Sequence, residues 1–250
     1  MRAALSILQR HLFVFRRTWW SNIMFNFIEP LLYLSAMGFG LGAFVQNMDG
    51  MSYIQFISSG MVASSAMFAA TFECTYASFI RMQFQKTFHA MLAAPAGVKD
   101  VVAGEIMFGA VKSIVFGTII LIVITALGQV QSFWALFIPL FMVLPGVVFS
   151  LLALSYTGAV SHIDYLNYYI TLFITPIYLF AGVFFPVSAM PAWLQKLDWL
   201  NPLYHSVVVC RALVFGDISA ALWESAGCLV ILAMLLAWLP VYLMKKRLIS

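Results

Sequence analysis

Charge is what this sequence has least of. Of its 250 residues, 13 are lysine or arginine and 9 are aspartate or glutamate, so charged side chains make up 9% of the chain. A soluble domain usually carries about a quarter. So few ions cannot cover a surface in water, which excludes a water-soluble enzyme, a nucleic-acid-binding protein and a disordered tail. Cysteine is scarce too: Cys74, Cys210 and Cys228 are far apart and offer neither a disulfide framework nor a CxxC metal pair. They read as small apolar residues. The chain has no GxxxxGK[ST] phosphate loop, no HExxH zinc pair and no GxSxG nucleophile elbow. His11, His89, His162 and His205 are scattered, and Ser58-Ser59-Gly60 has no base near it in sequence. Catalysis within a membrane finds little support. No internal repeat stands out either, which counts against a secondary carrier built from two inverted halves.

What the chain has in quantity is apolar surface, with 64% of residues hydrophobic and 16% aromatic. A spanning helix needs roughly 20 apolar residues to cross about 30 Å of hydrocarbon. Six apolar segments meet that need, at residues 23–45, 54–77, 105–128, 133–159, 165–185 and 222–244. Ahead of them, Leu5, Leu8, Leu12, Phe15 and Trp19 recur in steps of three and four, with Arg10 and Arg17 opposite. This spacing predicts an amphipathic helix over 1–21 lying along the membrane surface. The same stretch lacks an unbroken apolar core and a small-residue cleavage site, so it is not expected to be a removable signal peptide.

Cations set the orientation. Arg2, Arg10, Arg16, Arg17, Arg81, Lys86, Lys99, Lys245, Lys246 and Arg247 fall on one side if both termini share it, against only Lys112, Lys196 and Arg211 elsewhere. The excess of Lys and Arg belongs to the cytoplasm, which puts both termini inside. Residues 186–215 are too apolar for a loop and are broken by Pro186, Pro191 and Pro202. A single crossing there would place the terminal Lys245-Lys246-Arg247 cluster outside. Two short helices near 189–200 and 202–214 that dip into the outer leaflet and return satisfy both constraints. The expected fold is therefore an all-α membrane protein: one transmembrane domain over 1–250, with six spans, an interfacial N-terminal helix and a re-entrant pair before the last span.

Three groups of polar residues stand out. In the cytosolic loop over 79–96, Phe84, Phe88, Met91 and Leu92 share a face beside Lys86 and His89. That helix either rests on lipid or docks aromatic side chains into a soluble partner. Span one carries Asn22, Asn26, Glu29 and Tyr33, and span five carries Asn167, Thr171, Thr175 and Tyr178. Polar groups facing lipid are costly, so these stripes either hold helices together or line a pathway between subunits. Lastly, Glu73, Glu105 and Lys112 lie within spans toward their cytosolic ends; Glu105 and Lys112, seven apart on one face, either pair or let Lys112 snorkel to the interface.

Several of these segments resemble the ABC type 2 exporter permeases. The resemblance is carried by Glu29-Pro30, by Met91-Leu92-Ala93-Ala94-Pro95, and by Ala181-Gly182-Val183-Phe184-Phe185-Pro186 running on to Asn201-Pro202-Leu203-Tyr204-His205. Gly60-Met61-Val62-Ala63-Ser64-Ser65-Ala66-Met67, Ala70-Thr71-Phe72-Glu73 and Tyr76-Ala77-Ser78-Phe79-Ile80-Arg81-Met82 are similar to the NodJ branch, whose founding members export lipo-oligosaccharides. The resemblance implies a permease that pairs with a second copy of itself on two copies of a separate ABC ATPase. ATP and magnesium would be bound there and no cofactor in this chain. It implies contact with that ATPase through Phe84, Lys86, Phe88, His89 and Met91. A substrate pathway would be lined by Asn26, Glu29, Tyr33, Asn167, Thr171 and Tyr178. The chain departs from many relatives by reading Lys86-Thr87-Phe88-His89 where they carry an acidic residue. The implied setting is a bacterial inner membrane, among lipids and without nucleic acid. The implied cargo is a lipo-oligosaccharide or lipid-linked glycan, with hydrophobic drugs, or ion-gradient-driven carriage, as alternatives.

Overall fold

In hydrocarbon the backbone must satisfy its own N–H and C=O groups, and a helix does so within one segment. The computed structural model describes residues 2–45, 48 and 50–249, apart from the side chains of residues 21–27, 29 and 249. Its elements are α1 (Arg2–Ser35), α2 (Tyr53–Phe84), α3 (Thr87–Ala93), α4 (Val98–Ala126), α5 (Phe133–Ala159), α6 (165–180), α7 (Ala192–Asp198), α8 (Pro202–Phe215) and α9 (Ala220–Leu248). Among the described residues the only β pairing is an isolated bridge, Met48 to Met51. By length and composition α2, α4, α5 and α9 can each cross a bilayer, and they fall on four of the six expected segments. The remaining two coincide with shorter or more polar helix, namely α1 beyond Pro30 and α6.

The ends of these helices are written in the sequence. Ser52 and Gln55 form a reciprocal capping box at the start of α2. Asn201 accepts from the Leu203 and Tyr204 amides ahead of Pro202 at the first turn of α8, and Gly216 closes that helix at φ 84°. Inside α6, Pro176 supplies no N–H and crowds the carbonyl four residues back, and a π turn over Ile170–Ile174 absorbs the mismatch.

α2 is the most enclosed of the long helices, lying against α4, α5 and α8. Its small residues make that possible: Ser58, Ser59, Ser64 and Ser65 turn their hydroxyls back onto carbonyls of their own helix and leave room for neighbours. At the α4–α5 crossing, a β-carbon on Gly146 would lie 2.8 Å from the Ala110 α-carbon. Because backbone cannot retreat as a side chain can, Gly146→Val is expected to destabilise the fold by about 1–3 kcal/mol or more. The check is a lowered thermal midpoint of the purified protein.

At the N-terminus no break separates the expected surface helix over 1–21 from a first span: α1 runs unbroken across residue 22, and residues 2–29 contain neither proline nor glycine. Leu5, Leu12 and Trp19 of the expected lipid-facing stripe are exposed, while Ala4, Ile7 and His11 are buried against α4.

Candidate functional site

Where the far end of α1 meets α2 and α6, aromatic side chains enclose a cavity of about 730 Å³. Its walls include Tyr33 and Met37 from α1 and its extension, Tyr53, Phe68 and Phe72 from α2, Thr175 and Tyr178 from α6, and Phe184 and Phe185. Among the described residues, no Asp, Glu, Lys, Arg or His lines it. Tyr178 is the hub. Its ring meets Phe68 at 5.1 Å, Phe184 at 5.0 Å and Tyr33 at 6.3 Å, all edge to face. Its hydroxyl donates to the Met61 Sδ at 3.6 Å. Such a wall presents large apolar area with polar tips from tyrosine and threonine.

Of the six pathway residues expected from the sequence, Tyr33 and Tyr178 meet in this cavity. Asn167 and Thr171 do not line it; both are exposed on α6. The π turn that precedes Thr175 breaks the regular spacing that put all four α6 residues on one stripe. The side chains of Asn26 and Glu29 lie outside the described ones.

The coupling loop is shorter than 79–96. Arg81 and Phe84 belong to the last turns of α2, and α3 holds Lys86 at its N-cap and His89 and Met91 within it. Phe84 is 64% exposed, and Lys86 and His89 are exposed as well. Phe88, at 1% exposure, and Met91 are instead turned into the chain's own core. A helix of one or two turns cannot hold itself in place, so its apolar face must bind the body that carries it. Phe88 and Met91 are therefore anchors and not free knobs. Lys86 takes φ 54°, a left-handed conformation that an L-residue adopts at a cost of roughly 1–2 kcal/mol.

Above this loop lies an ion cluster that sequence reasoning saw only in part. Arg81 reaches Glu73 at 2.6 Å through Nη1 and Glu105 at 2.5 Å through Nη2. The second oxygen of Glu73 takes Lys112 Nζ at 2.5 Å, and the second of Glu105 faces His11 Nε2 at 3.0 Å. Ser78 donates to Glu105 at 2.5 Å. Lys112 also lies 5.6 Å and 5.7 Å from the ring centres of Phe15 and Phe108. The alternative in which Glu105 pairs with Lys112 is thus replaced: Lys112 serves Glu73, and Arg81 bridges both carboxylates. A count of the ions held a warning. Two carboxylates against one lysine leave a negative charge that hydrocarbon cannot tolerate, so a further cation had to come from nearby. Arg81 and Lys112 balance the two carboxylates, and His11 of α1 lies against Glu105 as well.

An aromatic cavity set among long apolar helices, with no catalytic constellation among the described residues, defines a membrane protein of the permease class. The chain matches the ABC-2 type transporter family over residues 2–215 and belongs to it. It resembles Nodulation protein J of Sinorhizobium fredii (strain NBRC 101917 / NGR234), at 35% identity over 98% of this chain and 94% of that protein. Nodulation protein J of Rhizobium meliloti (strain 1021) is also 35% identical, over 98% and 93%. The inner membrane transport permease YadH of Escherichia coli (strain K12) is 28% identical over 90% and 88%. Permeases of this family have no nucleotide-binding domain. The chain is accordingly a transport subunit and not an enzyme; it uses no cofactor of its own, and ATP is bound by a partner ABC ATPase.

Proposed function

We propose that this permease exports an amphiphile with an apolar tail, an acylated oligosaccharide or lipid-linked glycan, from the cytoplasmic leaflet of a bacterial inner membrane. The observation that carries this reading is the composition of the cavity among the described residues: aromatic and aliphatic walls with tyrosine and threonine tips. Acyl chains and the apolar faces of sugars both suit aromatic rings. Hydrophobic drugs suit the same walls and are the second reading. The resemblance to the nodulation proteins supports the first.

In this reading α1 with its extension and α6 complete six crossings, both termini lie in the cytoplasm, and α7 and α8 dip into the outer leaflet. The length of α8 supports the dip: 14 residues extend about 21 Å, short of about 30 Å of hydrocarbon. Two copies of the permease would pair over two ATPases, each docking on Phe84, Lys86 and His89, with Phe88 and Met91 holding α3 beneath them. Closure of the ATPases on ATP would move α3 and so reshape the cavity.

Transport by purified permease with its ATPase in proteoliposomes tests the proposal. A fluorescent acylated oligosaccharide should cross only with ATP, the permease alone should move nothing, and the deacylated sugar should be left behind. ATP-independent movement, or equal transport of the deacylated sugar, would overturn it. Tyr33→Ala should leave the fold intact, since Tyr33 is 37% exposed, and should raise the substrate concentration for half-maximal transport about two- to tenfold.

A further inference from the structure

Buried ions are a poor way to gain stability, because desolvation offsets most of the attraction between them. This chain nevertheless keeps Glu73, Arg81, Glu105 and Lys112 almost wholly buried, with His11 buried against them. The arrangement is better explained by what it joins. Glu73, Ser78 and Arg81 sit at the lower end of α2, where two π turns, Glu73–Ala77 and Ile80–Phe84, interrupt the regular helix. Such turns recur at functional positions. Arg81 lies one turn ahead of Phe84, and so directly above the exposed α3 region. Glu105 and Lys112 belong to α4. His11 belongs to α1, whose ring stacks on Phe108 at 5.0 Å while Ile7 packs where Gly104 leaves room. From His11, α1 continues through Pro30 to Tyr33 in the cavity wall, 22 residues or about 33 Å away.

We propose that this cluster is the transmission joint of the exporter. Arg81 clamps the lower end of α2 to α4, and His11 on Glu105 clamps α1 to both, so the three helices move as one body. A push on α3 then reaches the cavity through α1, which acts as a rod with the joint at one end and Tyr33 near the other. His11 is a positioning residue in this scheme: it touches no substrate and decides whether α1 follows the other two helices. The inference rests on the ATP-driven reading proposed above.

The variant that isolates it is His11→Phe. A phenyl ring keeps the volume and the stacking on Phe108, leaves Arg81 and Lys112 on their carboxylates, and removes only the link from α1 to Glu105. The complete permease–ATPase complex, reconstituted in proteoliposomes, should still assemble and hydrolyse ATP. The amount of acylated oligosaccharide moved per ATP should fall about tenfold, within the usual range of coupling between sites. His11→Gln, whose amide can donate to Glu105, should recover most of that ratio. A wild-type ratio in His11→Phe would overturn the proposal. So would a fall in hydrolysis and transport in equal proportion, which would mark His11 as structural only; the ratio is readable even if less complex assembles. Wild-type complex that hydrolyses ATP without moving the glycan would instead count against the export reading and leave the joint to be read from other cargo.

Discussion

Arg81→Ala is expected to be the most damaging single change in the membrane body. It leaves Glu105 facing only His11 and Ser78, and Glu73 holding only Lys112, at nearly buried positions beside a cavity of about 280 Å³. Breaking a buried pair by deleting one partner costs about 3–5 kcal/mol, because the remaining charge has no compensation. That is a large share of the stability of most domains. The purified variant should therefore lose its monodisperse elution and its thermal transition. A companion variant separates charge from shape. Arg81→Met combined with Glu105→Gln removes one charge of each sign, leaves Glu73 paired with Lys112, and should recover much of the lost stability. Normal behaviour of Arg81→Ala by itself would show that the cluster is hydrated and not dry.

Phe88→Ala should abolish stimulation of the partner ATPase by undocking α3. The side chain is buried in the core beneath α3. Truncating a buried aromatic to alanine costs about 3–5 kcal/mol, more than a helix of seven residues can lose and stay docked. Phe84→Ala removes an exposed ring and should spare the fold. It should lower ATPase copurification and stimulation only partially, as expected when one contact of an interface is truncated. Comparing the two variants by thermal shift and by ATPase rate distinguishes anchor from contact. Equal thermal midpoints for both would refute the anchor role of Phe88.

Several features of the molecule were legible before any coordinates. α2, α4, α5 and α9 lie where the apolar segments predicted. The caps at Ser52 and Asn201 and the stop at Gly216 follow from local chemistry alone. Tyr33 and Tyr178, chosen from two polar stripes, share the cavity. Other expectations were misplaced for identifiable reasons. Asn167 and Thr171 left the stripe because Pro176 forces a π turn that uniform helical spacing does not anticipate. Phe88 and Phe84 were placed on one helix, whereas α2 ends and α3 begins between them.

Membership of the membrane, the helical fold and four of its long apolar helices were determined by sequence alone, because hydrocarbon imposes its demands on each segment separately. Tertiary structure decided the rest. Which carboxylate Lys112 serves, why His11 and not Leu12 turns inward, and how Tyr33 comes to face Tyr178 all depend on the relative rotation of helices distant in sequence. Those ion pairs and ring contacts join helices distant in sequence, and no single helix carries them by itself.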